Sequence, residues 1–339
     1  MENGALTLPG VGGHHYEEVT GLKRDAIAKK EFRYNLKKHA PLYFFFIPSI
    51  LFVLIFKYVP MAGLVMAFKE NPRMLAAATP VQAILKADWV GLENFQEMFS
   101  NPEIMQAMRN TIIISLQKLV FVFPIPIALA ILISELRKGA VRKTLEITMY
   151  IPHFLSWVTV GGIFGAILSE NTGLVNNLLE MLGFSRTAFV SNKDTVRGVL
   201  VTSHAWKNIG YSSIVYMSAI LALDNNQFEA ARIDGATKWQ QILYVTLPGI
   251  LPTIAVMFVM RVGSLMDAGF EQIYVMYSAY TKETIDILGT YTYRLIRDAG
   301  LRPQYALSTA VGFFNGVIAM TLVLSSNYLS KKFLKNGLW

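Results

Sequence analysis

Long apolar runs alternate with short polar ones along this chain. Six runs, at about 42–68, 108–136, 143–168, 197–222, 249–278 and 305–330, each approach or exceed the roughly 20 residues that carry an α-helix across a bilayer. Lipid offers backbone groups no hydrogen-bond partner, so the pattern predicts an all-α membrane protein with six transmembrane helices. Pro60, Pro124, Pro126 and Pro152 fall within these runs and predict kinks or interruptions. In the polar stretch 70–107, Leu92, Phe95, Met98 and Phe99 share one helical face, which predicts a short helix lying along the outer membrane surface.

Between the fourth and fifth runs lies a polar, helix-prone segment, EAARIDGATKWQQILYVTLP, from Glu229 to Pro248. Asn225 or Asn226 is expected to cap a short helix through Glu229, Ala230 and Ala231. Gly235 suits the left-handed residue that ends it. Thr237 is expected to cap a second helix, 238–244, and Leu247-Pro248 to turn the chain into the next run. Two short helices meeting at a glycine form a rigid knob; an interfacial amphipathic linker is the plainer reading of the same residues.

Composition agrees with the pattern. Of 339 residues, 53% are hydrophobic and only 16% charged, against about 25% charged in a soluble domain. The absence of Cys removes disulfides and thiolate metal sites. A formal charge of +8 would suit nucleic acid, but the basic residues gather where chain ends and short loops meet apolar runs. With both termini cytoplasmic, sixteen basic residues fall inside and eleven outside. The short 137–143 turn, with Arg137, Lys138, Arg142 and Lys143, weighs most in that orientation, because short loops dominate it. Residues 1–40 form a separate, polar, cytoplasmic segment, and with no apolar stretch before Pro41 an ordinary signal peptide is not expected. The outer stretches 170–195 and 279–303 mix polar and apolar residues and could meet a soluble partner or be simple surface loops.

Polar groups inside the runs are costly in lipid and usually face a cavity or a partner helix. In the fifth run Ser264, Asp267, Glu271, Tyr274 and Ser278 recur at three- and four-residue steps and would share a helical face; Gln272 flanks them and Arg261 precedes them. Gly263 and Gly269 allow close helix approach or local unwinding. Trp206, Asn208, Tyr211 and Ser212 lie in the fourth run, and Ser308 and Asn315 on one face of the sixth. His204 and Lys207 are read as interfacial. Glu271, Asn315, Asp267, Gln272, Tyr211 and Trp206 are the candidate substrate path: aromatic faces stack on a pyranose while carboxylates and amides bind its hydroxyls. Helix–helix hydrogen bonding is the alternative. No Gly-Lys dipeptide occurs, so a phosphate-cradling P-loop is missing, and no HExxH-type histidine spacing exists.

The Glu229–Pro248 spacing (EAA, three residues, Gly, nine residues, an aliphatic residue, one residue, Leu-Pro) resembles the EAA loop of binding-protein-dependent ABC importer permeases. PLYFFFIPSILFVLIFKYVPMAGLVMAFKE, YIPHFLSWVTVGGIF, HAWKNIGYSSIVYMSAI, GFEQIYVMYS and the terminal NGLW are similar to its polysaccharide and multiple-sugar branch, from about residue 41 to the end. Val245 replaces the usual isoleucine.

The resemblance implies the ABC importer type I permease fold over 41–339, with a cytoplasmic coupling loop at 223–248, in a bacterial cell membrane. It implies that Glu229, Ala230, Ala231, Asp234, Gly235 and Ala236 couple to an ATPase. The implied partners are a second homologous permease, two ATP-binding cassette ATPases that bind the ATP and Mg, an extracytoplasmic solute-binding protein and an oligosaccharide, with membrane lipid around and no nucleic acid. This chain would carry no cofactor and no catalytic residue. An ion-gradient-driven carrier with Asp267 and Glu271 as coupling carboxylates is the rival class, and it would have no use for an ATPase-docking loop.

Overall fold

The computed structural model of the protein describes residues 38–73, 79–137, 139–298, 300 and 303–334. Most of the expected cytoplasmic segment 1–40, together with Lys138, Arg302 and Lys335, lies outside the described residues. The described chain is helical, with no strand and one isolated bridge between Lys69 and Trp89. It divides between Gly63 and Leu64 into two compact units.

The first unit holds α1, Ala40–Val53, which continues through a π-helical turn, Leu54–Tyr58, into Val59–Met61. Pro60 gives the reason for the wide turn. A proline ring collides with the carbonyl four residues before it and donates no N–H, and a π turn just upstream moves that carbonyl aside.

The second unit begins with a 3-10 stretch ending at Phe68 and two short helices, α2, Pro80–Lys86, and α3, Glu93–Ser100. Asn94 ties α3 to the preceding strap by donating to the Ala67 and Lys69 carbonyls at 3.0 and 2.9 Å. α3 is the helix expected around 92–99. Its Met98 is fully buried, while Phe95 and Phe99 meet Phe313 and Phe314 edge-on; Leu92 stays exposed.

The long helices follow. α4, Pro102–Val122, is capped by Asn101 and runs into α5, Pro124–Glu135. α6, Ala140–Tyr150, passes through a 3-10 turn, Ile151–Phe154, to α7, Trp157–Ile167, at a 104° bend. Pro152 sits in that turn, so the third apolar run is broken rather than merely kinked. α8, Leu174–Met181, lies in the segment between α7 and α9, where the buried Asn176 amide bonds the Ser169 and Thr187 carbonyls. α9, Val196–Leu221, is one unbroken helix of 26 residues packed on α4, α5 and α6. At Gly210 its backbone touches the Met149 carbonyl of α6, leaving no room for a Cβ.

After α9 come α10, Asn225–Ile233, and α11, Lys238–Gln241. A second π turn, Ile242–Thr246, precedes Pro248 as the first precedes Pro60. Helix therefore persists to Gly249, and the chain bends by 59° only before α12, Leu251–Gly263, not at Leu247-Pro248 as expected. The rest comprises α13, Phe270–Met276, α14, Lys282–Ile285, α15, Leu288–Arg297, and α16, Tyr305–Leu334.

Among the described residues three helices are long and apolar enough to cross a membrane: Leu42–Phe68, Pro102–Glu135 and Tyr305–Lys332. Two bent pairs, 140–167 and 238–263, raise that to five. α9 is long enough but carries His204, Lys207 and Asn208 mid-helix, so its polarity sets it apart from the others. Within lipid, close packing and interhelical hydrogen bonds hold such helices together.

Candidate functional site: a two-helix knob and two broken spans

α10 and α11 form the expected knob with one change of cap. Asp224, not Asn225 or Asn226, accepts from the Asn226 N–H at 2.9 Å, because its extended backbone lets a carboxylate reach the first turn. α10 ends in a Schellman closure. The Ala236 N–H reaches the Ala231 carbonyl at 2.9 Å and the Gly235 N–H reaches Arg232 at 3.1 Å. Gly235 supplies the left-handed residue at φ 75°. Thr237 and Gln240 then form a capping box, and the buried Gln241 amide donates back to the Ala236 carbonyl. Glu229, Ala230, Asp234 and Gly235 are exposed on this knob; Ala231 and Ala236 are half-buried on its inner side. Lys238 ties the knob to Glu135, at the end of α5, at 2.7 Å.

The fifth run is broken at 264–269. Ala268 and Gly269 both take positive φ, 50° and 88°, which unwinds the helix between α12 and α13. Lys118 of α4 fills the gap: its ammonium donates to the Ala268 carbonyl at 2.7 Å and to Gln272 Oε1 at 2.6 Å. The Gln272 amide in turn donates to the Leu200 carbonyl and Ser203 Oγ at 2.7 and 2.8 Å. Ser115 of α4 also donates to the Leu265 carbonyl. Carbonyls that the break frees are thereby satisfied from neighbouring helices, as lipid requires. A cavity of about 120 Å³ opens at the break, lined by Lys118, His204, Arg261, Ser264 and Asp267.

The third run's break lies next to it. Lys207 of α9 donates to the His153 carbonyl at 2.6 Å and to that of Leu155, and its ammonium stands 5.5 Å from the Trp157 ring centre. His153 stacks on Tyr211 at 3.9 Å and meets Asn208 Oδ1 at 3.2 Å. His204 joins the two breaks, since its ring stacks with Trp157 and its Nε2 lies 2.6 Å from Arg261 Nη2.

The structure sorts the candidate path residues. The stripe from Ser264 to Ser278 is not one helix face, because the break falls inside it. Ser264, Asp267, Glu271 and Tyr274 are nevertheless all exposed, with Asp267 in the turn and Glu271 on α13. Gln272 is fully buried with its amide bonded into the protein, so it braces the break rather than facing an open path. Asn315 reaches toward the Met266 carbonyl at 3.4 Å, and its Oδ1 is buried with no hydrogen-bond partner among the described residues. Tyr211 and Trp206 are exposed, Trp206 edge-on to Phe164. Glu271 and Asp267 thus stand at the fifth-run break, Tyr211 at the third. His204 and Lys207 lie within α9, in contact with residues of neighbouring elements. Lys118 escaped notice in the sequence, although a lone lysine in an apolar run is itself a signal.

Broken spans braced by buried cations, a polar aromatic-lined gap and an exposed knob between spans are the parts of a membrane transport permease. The family model described as "Binding-protein-dependent transport system inner membrane component" matches residues 121–335, and the chain belongs to this family. The protein LplB of Bacillus subtilis is 36% identical over 304 residues, covering 90% of this chain and 92% of its own. The polygalacturonan/rhamnogalacturonan transport system permease YteP of the same organism is 35% identical over 312 residues, covering 92% and 94%. A crystal structure of a bacterial ABC transporter that imports the acidic polysaccharide alginate contains a chain with TM-score 0.79 and 38% identity, covering 89% of this chain and 99% of that one. A second alginate transporter structure, in complex with an alginate pentasaccharide-bound periplasmic protein, matches with TM-score 0.79 over 90% and 98%. The fold is that of an ABC importer permease.

Proposed function

We propose that this chain is one of two membrane subunits of an ATP-driven importer, and that it passes an oligosaccharide or polysaccharide-derived sugar delivered by a solute-binding protein. The observation that carries the reading is the meeting of two broken spans at His204, where Tyr211, Trp157 and His153 supply ring faces and Asp267, Glu271 and Arg261 supply polar ends. Sugar transport by the relatives supports it. Six spans would place both termini and the α10 knob in the cytoplasm. There the knob, through Glu229, Ala230, Ala231, Asp234, Gly235 and Ala236, would dock in an ATPase that binds ATP and Mg, this chain having no P-loop of its own. One knob per chain and two ATPases require a second six-helix permease. ATP binding would close the ATPases, push the knobs and open the path outward by rigid-body rotation.

The test is purification of the tagged chain with its associated subunits and reconstitution into liposomes with a solute-binding protein. Oligosaccharide uptake that depends on ATP and on a second, non-identical permease is expected. Uptake driven by an ion gradient without ATP, or a working complex in which this chain is the sole permease, would overturn it.

A further inference from the structure

A second polar pocket lies beyond the fifth-run break, between α13 and α15. It encloses about 260 Å³ and is lined by Tyr274, Tyr277, Tyr293, Arg294, Arg297 and Asp298. The two arginines differ. Arg294 is committed: it pairs with both oxygens of the buried Asp286, one at 2.7 Å, and lies over the Tyr277 and Tyr291 rings. The pairing closes α15 on its own start, where Thr290 also donates to Asp286.

Arg297 has no such acid among the described residues. Its guanidinium donates to the hydroxyls of Tyr274 and Tyr293 and lies 5.6 Å from the Tyr293 ring centre. Asp298, next along the chain, forms no ion pair with either arginine. The tyrosine rings are fixed by one another, Tyr274 to Tyr293 edge-on at 5.3 Å and Tyr274 stacked on Phe270 at 5.7 Å, and both remain well exposed. The pocket therefore offers a pre-set guanidinium fork beside ordered aromatic faces. A fork of this kind matches a carboxylate in two parallel hydrogen bonds, and the volume, at the small end for ligand pockets, suits about one sugar ring. Tyr274 is also one helical turn from Glu271, so whatever occupies the pocket is next to the break.

We propose that the Tyr274–Tyr293–Arg297 pocket is a subsite for a carboxylated sugar, a uronate residue of an acidic oligosaccharide, with Arg297 on the carboxylate and the tyrosine rings against the pyranose. The assignment rests on the transport reading above and adds to it the charge of the cargo and the place where that charge is read. A neutral sugar would leave the Arg297 fork unused.

The complete importer in lipid nanodiscs provides the test, with trigalacturonate and its carboxyl-reduced, neutral counterpart as probes. Binding is followed by intrinsic fluorescence, and stimulated ATP hydrolysis is measured alongside. Wild type is expected to bind trigalacturonate at least tenfold more tightly than the neutral trimer. Arg297→Gln should remove that preference, chiefly by weakening trigalacturonate about tenfold. Tyr293→Phe should keep the preference and Tyr293→Leu should weaken both trimers. If Arg297→Gln keeps the preference, or if wild type has none while neutral sugars stimulate hydrolysis, the pocket is overturned and the transport reading stands. If neither charged nor neutral oligosaccharide binds or stimulates hydrolysis, both fall.

Discussion

The Lys118 ammonium lies 2.6 Å from Gln272 Oε1, one helix lending its cation to the amide of another. The same ammonium holds the Ala268 carbonyl, so a single side chain closes the gap that two left-handed residues open in the fifth run. Gly269 is needed for both its φ of 88° and its bareness, since a Cβ there would come within 2.8 Å of Lys118 Nζ. Lys118→Met leaves Gln272 Oε1 and the Ala268 carbonyl without their donor. A buried unsatisfied group costs about 1–3 kcal/mol. The melting temperature of the detergent-solubilised importer should fall and sugar uptake with it. An unchanged melting temperature would show that the brace carries no weight.

The knob offers a sharper separation of folding from coupling. Gly235 faces open space, so a larger side chain meets no clash there, but its φ of 75° belongs to the left-handed region. An L residue pays roughly 1–2 kcal/mol there, and a β-branched one is worse placed still. Gly235→Val should loosen the Schellman closure, and Glu229→Lys should reverse a charge on the exposed face. Both should insert into membranes at wild-type levels, yet co-purify with less ATPase and transport less. Normal uptake by both would remove the coupling role from the loop.

The knob was legible in the sequence because its signals are local: a glycine for one left-handed turn, Thr237 for one cap. The cap at Asp224 was missed by a residue or two, since Asp, Asn and Asn stand side by side and all cap well. The apolar runs were also legible, and Pro152 and Gly269 marked where two of them could be interrupted or unwound, but the consequence for the side-chain faces was not. Periodicity gave Ser264 to Ser278 one face because it assumes an unbroken helix, and the break depends on Lys118, some 150 residues earlier in the chain. Gln272 reads as a path residue from its own helix; only Leu200 and Ser203, brought in from α9, make it a brace. The two π turns escaped for the same kind of reason. A proline announces a disturbance without saying whether the chain will turn or widen.

Outside the apolar runs, an ion pair links the segment before α9 to α14. Lys193 donates to Glu283 at 2.6 Å, and this hydrogen bond, with the charge behind it, holds the Glu283 carboxyl below its ordinary value; Lys282 adds a smaller pull. A lowered carboxyl pKa means the link is complete above the ordinary range, about 4.3, and is lost as pH falls through the lowered value. Thermal stability should therefore be insensitive to this pair between pH 5 and 7 and should lose its contribution below about pH 4. Lys193→Met should flatten that part of the acid limb. Both side chains are exposed, so the effect should be small and should shrink further in high salt. An acid limb identical in wild type and Lys193→Met would show that the pair contributes nothing.

The substrate path can be probed directly because the chain contains no cysteine. Ionised Glu271 in contact with lipid would cost about 2.5–3.5 kcal/mol on insertion scales, and a wet, sugar-lined cavity removes most of that cost. Asp267 faces the gap at the break, and Asn315 Oδ1 has no hydrogen-bond partner among the described residues, which leaves an acceptor for a sugar hydroxyl. Cysteine in place of Asp267, Glu271 or Asn315 should react with a water-soluble thiol reagent, and saturating oligosaccharide should slow the reaction. Leu265 and Gly269 line the same gap and are poor controls; Ile273, fully buried on α13, is the better one and should stay inert as Ile273→Cys. Glu271→Ala and Asn315→Ala should each lower uptake and sugar-stimulated hydrolysis while leaving basal hydrolysis and assembly close to wild type, because neither touches the knob. Inert cysteines at 267, 271 and 315, with a reactive one at 273, would mean that α13 turns its other face to the path and that the sugar site lies elsewhere.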